Sequence, residues 1–432
     1  RQMCIRDRFW GDHCYNVKSN YTSSAFRSYD VWYANYKWIA NVNYIIDAEP
    51  EMAGTEADVA YVAGQAYAIR ALCYLNLATW FSRAPYNSLT GASRWNEPCV
   101  PVYTTGTSID TGGQPRESLR TVYGRIDQDI DRAIELLEKA RETTLAENNK
   151  SHINLYVALG IKSRACLAEG DWDGAFKAAK RVIDEGGYAV GTKSDLTGGM
   201  NSLDKQNVMW GAGIQVADQA GGYAGFFTHM DNKEGAYAKS APKLISKQLY
   251  NRISATDIRR DWWDPSDKES PYVSKKFSFA NVASFLGDYI YMRVEEMYFT
   301  AAEAALRLDD LKSARELMNT VMAERDPGYS ANNRSGTLLG ATTTTWTGSF
   351  LENILTHRRI ELWGEYGRLF DVRRLGQGID RRTDDGFSEE CISMMNRRNV
   401  NITKADTYDW VLTIPKAELD ANPNINEEDQ NP

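Results

Sequence analysis

Residues 356–374 read THRRIELWGEYGRLFDVRR, a segment in which charged residues alternate with apolar ones at helical spacing. Glu361 and Glu365 are four residues apart, which predicts that both carboxylates lie on one face of a helix. Arg358 and Arg368 are each three residues from one of these glutamates, so the pattern also predicts an ion pair for each. We interpret the segment as part of a structural scaffold and not as a catalytic site.

Helical periodicity continues on the amino-terminal side of this segment. Apolar residues recur at three- and four-residue steps over 57–81, and a second amphipathic pattern covers 117–146. Residues 155–168 predict a further helix, Gly170 its left-handed end, and Asp171 the N-cap of a helix that continues to Ile183. This arrangement is a helix hairpin of tetratricopeptide type.

A second copy of the hairpin pattern follows at a constant offset of 139 residues. The matched positions are Ala165 and Ala304, Leu167 and Leu306, Trp172 and Leu311, Ala175 and Ala314, and Val182 and Val321. The offset is not a multiple of the 34-residue tetratricopeptide period, so we expect repeats that are interrupted by insertions. Chance similarity between two amphipathic helices is the alternative.

Irregular segments separate the helical ones. Glycine pairs punctuate residues 186–287, which predicts loops and brief strands, and 327–348 is a polar loop. We expect one domain over 9–432, preceded at 1–8 by a non-native or disordered leader. The predicted scaffold covers about 24–82, 117–186, 286–326 and 349–378, and the predicted ligand-binding insertions cover about 83–116, 187–285 and 327–348. Loops on a rigid frame are where binding residues usually lie.

Composition excludes several classes of protein. The 432 residues include 50 Lys and Arg against 58 Asp and Glu, a net charge of −8, and contain no long basic block. Nucleic-acid binding is therefore set aside, because it depends on many cations that neutralise phosphates. No run of about 18 uncharged apolar residues predicts a membrane span. The six cysteines form no CxxC pair, and Cys73 and Cys166 are interpreted as small core residues, so no metal is expected.

Enzyme motifs are missing from the sequence. It has no HExxH, GxSxG or GxxxxGK[ST] pattern, and none of its four histidines has a catalytic neighbourhood. We therefore expect no catalytic residue and no cofactor. Paired carboxylates stay open as an alternative, because all-helical glycosidases carry their two acids on separate loops.

Aromatic residues provide the positive signal. The chain has 24 tyrosines and 12 tryptophans against 13 phenylalanines, and the rings of Tyr and Trp combine a flat apolar body with a polar tip. Such rings stack on the apolar face of a sugar. The candidates are rings in predicted loops, and for each of them ordinary packing is the alternative: Tyr86, Trp95, Tyr103, Tyr223, Phe226, Phe227, Trp262, Trp263 and Trp346.

Residues 356–374 resemble the ERRIEL…EG.RWFDL.R signature of the SusD/RagB family of Bacteroidetes nutrient-binding lipoproteins. Three other segments are similar to family motifs in the same order. They are 64–81, similar to G.A..LRA..Y..L...F; 292–297, similar to LR.AE; and 414–424, similar to IP..EL..NPN. The resemblance covers about residues 21–432. His357 stands where the family usually has Glu.

The resemblance implies a mostly α-helical SusD-like fold, with tetratricopeptide-like helix pairs as the scaffold and irregular insertions that carry short strands. It further implies a non-catalytic protein that binds oligosaccharide or polysaccharide, or in some relatives other nutrients such as peptides. The implied partner is a SusC-like TonB-dependent transporter. The implied location is the outer surface of the outer membrane, attached only through an N-terminal lipid whose cysteine is not in this chain.

The binding residues are chosen by residue type and placement, without a motif. Trp95 and Trp262 are the first stacking platforms, with Arg83 and Asp261 as their hydrogen-bonding neighbours. Four further candidates are Tyr86, Tyr223, Phe226 and Trp346. Two rival functions stay open, an all-helical glycoside hydrolase and a peptide-binding or protein-binding scaffold of tetratricopeptide type.

Overall fold

The computed structural model describes residues 26–108, 110–143, 145, 149–217, 225–380 and 407–432. The predicted leader at 1–8 and the candidate ring of Tyr223 lie outside these residues. Fourteen α-helices and four short strands lie within them. The predicted mostly helical fold class is confirmed.

The chain divides into two compact units. The amino-terminal unit comprises the described residues of 26–178, 370–378 and 407–432, and the central unit comprises those of 179–369 and 379–380. The helices that lie wholly in the amino-terminal unit are α1 (Phe26–Ala48), α2 (Glu56–Phe81), α3 (Leu119–Lys139), α4 (Leu155–Glu169) and α14 (Lys416–Ala421). Helices α5 (Trp172–Glu185) and α13 (Arg368–Leu375) each contain a boundary between the units.

The long helices of the amino-terminal unit begin where the sequence offers a capping side chain. Thr55 accepts a hydrogen bond from the Asp58 N–H at the start of α2, and Ser118 does the same for α3. Helix α2 packs against both α1 and α3. Gly64 permits the close approach to α3, because a β-carbon at that position would lie 2.9 Å from Leu137 Cγ.

The predicted hairpin copies have the same local structure. Gly170 takes the left-handed conformation after α4, with φ of +76°, and Asp309 takes it at the equivalent position of the second copy, with φ of +62°. Aspartate is one of the few residues that tolerate this conformation. The next residue caps the following helix in each copy, since Asp171 accepts from the Gly174 N–H and Asp310 from the Ser313 N–H, both at 3.0 Å.

The central unit combines helices with two small antiparallel sheets. Its helices are α6 (Lys193–Thr197), α7 (Phe226–Met230), α8 (Ala236–Ser240), α9 (Lys247–Tyr250), α10 (Val294–Arg307), α11 (Leu311–Ala323) and α12 (Phe350–Glu361). Strand β1 (Val208–Ala212) pairs with β4 (Tyr289–Arg293), and β2 (Trp263–Asp264) pairs with β3 (Val273–Ser274). One aromatic-rich core cluster includes Phe227, Trp262, Trp263 and Phe277.

Two findings concern the whole described part of the chain. No helix in it is long and apolar enough to cross a bilayer. Its three cysteines, Cys73, Cys99 and Cys166, are buried and unbridged, and burial raises the pKa of the Cys73 thiol to about 12. Cys73 and Cys166 are thus the small core residues that the sequence predicts.

Candidate functional site

The loop that follows α2 is a tight hairpin with one ion pair at its base. Tyr86 forms an antiparallel bridge with Ser93, and the Arg94 N–H donates to the Pro85 carbonyl at 2.8 Å. Asn87 closes the turn, because its side-chain oxygen accepts from two backbone N–H groups at 2.9 and 3.0 Å. The backbone of the loop is therefore fixed by its own hydrogen bonds.

Arg83 and Glu97 form the ion pair at the base of this hairpin. Arg83 Nε donates to Glu97 Oε2 at 2.9 Å, and the guanidinium lies 4.9 Å from the centre of the Tyr408 ring. The two side chains are 25% and 24% exposed, so both remain open to water. A ligand hydroxyl could donate to the carboxylate or accept from the guanidinium at this position.

Trp95 lies next to this pair, half-buried. Its ring meets the Tyr123 ring edge to face, with centroids 5.8 Å apart, and the Arg120 guanidinium lies 5.7 Å from its centre. The Trp95 carbonyl also accepts from the Arg120 N–H at 2.9 Å. The loop thus carries a fixed indole ring two residues from Glu97, and the binding role of Trp95 and Arg83 stays a prediction.

Tyr86 belongs to the same loop but packs against the scaffold. A β-carbon at Gly170 would lie 2.6 Å from a Tyr86 ring carbon, and the ring also meets Trp172 edge to face at 6.0 Å. Tyr86 therefore anchors the loop on the turn between α4 and α5. Its half-buried ring leaves less area for stacking than an open platform would.

The structure overturns Trp262 as a stacking platform. Its ring is only 2% exposed, lies in the core cluster of the central unit, and donates its indole N–H to the Leu196 carbonyl at 2.9 Å. A ring that is sealed on both faces cannot stack on a sugar. Trp263 and Phe227 are buried in the same cluster. The sequence predicts a loop here, but in the structure these rings are packed into the hydrophobic core.

Asp261 is exposed beside the buried tryptophans and lies 3.7 Å from Lys193 Nζ. Because Trp262 points into the core, Asp261 loses the ring that it was predicted to assist. Phe226 is half-buried and contacts the rings of Phe227 and Phe277, each at 5.2 Å. Its ring therefore extends the core cluster towards the surface.

Trp346 lies in the polar loop before α12 with one face occupied. The Arg252 guanidinium is 3.9 Å from the ring centre, and the same guanidinium is 3.7 Å from the Glu352 carboxylate. This stacked cation keeps the half-buried ring in place. Trp346 and Phe226 lie in the central unit, whereas Trp95, Arg83 and Tyr86 lie in the amino-terminal unit.

The segment at 356–374 forms a buried ion network, with partners that the sequence spacing does not predict. Helix α12 ends at Glu361, and Gly364 (φ of +82°) interrupts the chain before Glu365, so the two carboxylates do not share one helix face. Glu361 instead binds three arginines that come from distant parts of the chain: Arg259 at 3.1 Å, Arg293 at 3.1 Å and Arg325 at 2.9 Å.

Arg358 and Glu365 also have ion partners outside this segment. Arg358 lies 3.5 Å from Glu296, and Glu365 binds Lys276 at 2.5 Å and Arg293 at 2.7 Å. Burial alone would raise the pKa of Glu361, but the guanidinium groups of Arg325, Arg293 and Arg259 hold it well below its usual range. The carboxylate is ionised and fully paired, which fits the predicted structural role of the segment.

Burial in this enclosed site lowers the pKa of two basic residues, His357 and Lys276. Burial, together with the positive charge of Arg259, lowers the pKa of His357 well below its usual range. His357 Nδ1 lies 2.8 Å from Arg259 Nη2, which can only donate, so the imidazole nitrogen accepts. Burial lowers the pKa of Lys276 to about 8, although Glu365 opposes the shift.

Two rings outside the predicted set, one half-buried and one exposed, lie in the central unit's β1–β4 sheet. They are Trp210 on β1 and Tyr291 on β4. The signal in the sequence was the alternation of residues 289–293, YIYMR, which is typical of a strand with one outer face. This strand lies within 286–326, which the sequence analysis assigned to the helical scaffold and not to an insertion. No group of metal-ligating side chains lies among the described residues.

Comparisons with known proteins agree with the resemblance found in the sequence. A family model described as "SusD family" matches residues 233–432, and one described as "Starch-binding associating with outer membrane" matches residues 5–167. No curated protein matches the chain. Solved structures, in contrast, cover nearly all of it.

Three of these structures illustrate the similarity. A SusD-like carbohydrate binding protein from Bacteroides vulgatus ATCC 8482 is 26% identical, with 93% of this chain and 84% of that chain covered at a TM-score of 0.73. A SusD superfamily protein from the same strain is 20% identical, with 98% and 88% covered at a TM-score of 0.75. Surface glycan-binding protein A from Bacteroides uniformis is 18% identical, with 93% and 84% covered at a TM-score of 0.65.

Proposed function

We propose that this chain, which belongs to the SusD family, binds an oligosaccharide or polysaccharide at the cell surface without changing it chemically. The observation that carries the proposal is that one hydrogen-bonded loop carries both the half-buried Trp95 ring and the Arg83–Glu97 pair, which is about a quarter exposed. A ring platform with adjacent hydrogen-bonding groups suits a sugar, which has both apolar faces and hydroxyl edges. The printed descriptions of two structural neighbours, carbohydrate binding and glycan-binding, support the same ligand class.

Delivery of the bound glycan to a SusC-like TonB-dependent transporter is the second part of the proposal. The family model that matches residues 5–167 describes association with the outer membrane, which supports that location. Attachment would be through a lipid on an N-terminal cysteine. Co-purification of the chain with a SusC-like transporter encoded beside it tests this part, and separate elution of the two proteins would contradict it.

The absence of turnover is supported by the state of the carboxylates. Glu361 and Glu365 are held ionised by buried cations and are closed to substrate. Burial and the neighbouring Asp127 raise the pKa of Glu169 to about 8, which makes this carboxylate the natural candidate for the hydrolase alternative. Both residues lie on scaffold helices, at the end of α4 and within α3. We expect Glu169→Gln to change nothing in a hydrolysis assay.

Calorimetric titration with a panel of polysaccharides and hexasaccharides, combined with an assay for new reducing ends, tests the proposal. We expect heat from at least one glycan, no release of reducing ends, and about tenfold weaker binding by Trp95→Ala, since a lost ring contact of about 1.4 kcal/mol gives that ratio. Trp38→Ala is the matched control, because Trp38 is 56% exposed on α1, outside the loop.

Three outcomes would contradict the proposal. If no glycan produces heat in the titration, glycans are not the ligand. If new reducing ends are released, the protein is a hydrolase. Peptide binding that survives Trp95→Ala would favour the alternative of a peptide-binding scaffold.

A further inference from the structure

Trp210 and Tyr291 form a two-ring shelf on neighbouring strands of the central unit. Their ring centres are 5.0 Å apart and their planes are inclined at 66°. Tyr291 is 40% exposed and Trp210 is half-buried, whereas the residues beside them on the strands, Met209 and Met292, are buried. Trp210 is paired across the sheet with the buried Met292, and the irregular pairing at this residue accompanies the approach of its ring to Tyr291.

The backbone beneath the shelf is irregular at Trp210. The pairing of β1 with β4 shifts register on both sides of this residue, between Val208 and Trp210 and again between Trp210 and Gly211. Such bulges redirect a side chain and are enriched next to functional sites. Gly211 is required here, because a β-carbon would lie 2.3 Å from the Tyr289 carbonyl oxygen.

The strand that carries Tyr291 is fixed at its carboxyl end. It ends at Arg293, whose guanidinium binds Glu361 and Glu365 at 3.1 and 2.7 Å in the buried ion network. Tyr291 is two residues from this anchor. The shelf therefore has a fixed position, and binding there would cost little ordering of the protein.

The size and chemistry of the shelf indicate its occupant. An aromatic side chain contributes roughly 150–250 Å² when it is buried, so the 40% exposure of Tyr291 corresponds to roughly 80 Å². A stable protein interface needs about 800 Å² from each partner. The exposed ring surface matches one face of a small ring compound.

We propose that Trp210 and Tyr291 form a second saccharide site, which binds the apolar face of a pyranose ring independently of the Trp95 loop. This inference rests on the proposed function, because it takes glycan as the ligand class. The two sites lie in different units of the chain, and each has its own ring and its own support. The wild-type protein would accordingly bind two short oligosaccharides per chain.

Calorimetric titration with linear neutral hexasaccharides (gluco-, xylo- and manno-configured) tests the second site. We expect a stoichiometry near two for the wild type and near one for Tyr291→Ala, and about tenfold weaker binding at the remaining site when Trp95→Ala is added. Tyr237→Ala is the matched control, because Tyr237 is an exposed tyrosine of the same unit that stacks on His229 at 4.6 Å. Trp210→Phe keeps an aromatic ring, so it should retain the stoichiometry while losing part of the ligand-induced fluorescence change.

The outcomes separate the two proposals. Binding by the wild type that is unaltered in Tyr291→Ala overturns the second site and leaves the proposed function standing. Loss of all binding in Trp95→Ala alone also overturns it, because a second site should remain. Silence of the wild type towards every glycan overturns both. Equal losses in Tyr291→Ala and Tyr237→Ala would indicate a general structural effect and would also count against the site.

Discussion

The ion network around Glu361 and the surface loop at 83–97 use the same pair of residue types for different purposes. Glu361 and its three arginines are completely enclosed. Arg83 and Glu97 are each about a quarter exposed, and one ring of the protein, Tyr408, supports the guanidinium. A buried charge without its partner is very costly, whereas an exposed pair adds little to stability. Burial therefore separates the arginines that hold the fold from those that remain available to a ligand.

We expect the largest effect when the negative charge of Glu361 is removed from the ion network. Glu361→Gln keeps the shape of the side chain but leaves three buried guanidinium groups without their shared carboxylate. We expect a loss of about 3–5 kcal/mol in the free energy of unfolding, as when one partner of a buried pair is removed. Chemical denaturation measures this change.

The control for that experiment is Glu316→Gln on α11. Glu316 is exposed and lies 4.0 Å from the equally exposed Lys312, so its loss should leave the unfolding midpoint unchanged. A Glu361 variant as stable as the wild type would show that the network contributes nothing to the fold.

Arg83→Met and Arg325→Met make the same substitution in the exposed loop and in the buried ion network, so their effects can be compared directly. Arg83→Met should weaken glycan binding about tenfold, through lost hydrogen bonds of about 1.4 kcal/mol to the ligand, with little change in stability. Arg325→Met should mainly lower stability, because Arg325 binds both Glu295 and Glu361 out of contact with solvent. Titration calorimetry and thermal melting on both variants decide the matter. Unchanged affinity in Arg83→Met would place the glycan elsewhere.

The smallest expected effect is a pH dependence that originates at His357. Its pKa is held well below 6.5 in the folded protein, whereas the unfolded chain protonates this histidine near 6.5. The unfolded state therefore binds more protons as the pH falls, and stability decreases on acidification. Between pH 7 and 5.5 this residue should remove about 1 kcal/mol of stability.

His357→Gln isolates that contribution. The amide oxygen of Gln can accept from Arg259 as Nδ1 does, but it does not titrate. We expect a flatter stability profile for the variant over pH 5.5–7, measured by denaturation at each pH. Parallel profiles for the variant and the wild type would contradict the assignment.

The helices of this protein were predictable because their signals are local. Capping residues, apolar spacing and the left-handed Gly170 are all read within a few positions, and α4 and α5 begin and end close to their expected bounds. The 139-residue offset also relates the predicted cap Asp171 to Asp310, a second cap that the sequence analysis did not name.

The partners of charged residues were not predictable, because they depend on tertiary contacts. Glu361 meets Arg259, which is 102 residues away, and no spacing rule connects the two. Trp262 failed as a candidate for a similar reason. Its neighbours in the sequence predict a loop. Burying a ring of this size is more favourable in free energy than leaving it in water, and Trp262 is packed in the core cluster of the central unit. Trp95 and Arg83 were predicted together because they belong to one short loop, and their binding role stays a prediction.

The order of synthesis gives the ion network a further consequence. Arg259, Arg293 and Arg325 all leave the ribosome before Glu361, the carboxylate that they share. Each of these arginines also has a buried carboxylate partner that precedes Glu361 in the chain, Asp257 for Arg259 and Glu295 for Arg293 and Arg325. Glu361 is the carboxylate that joins these two smaller groups, so the complete network can form only after the chain through residue 361 is available.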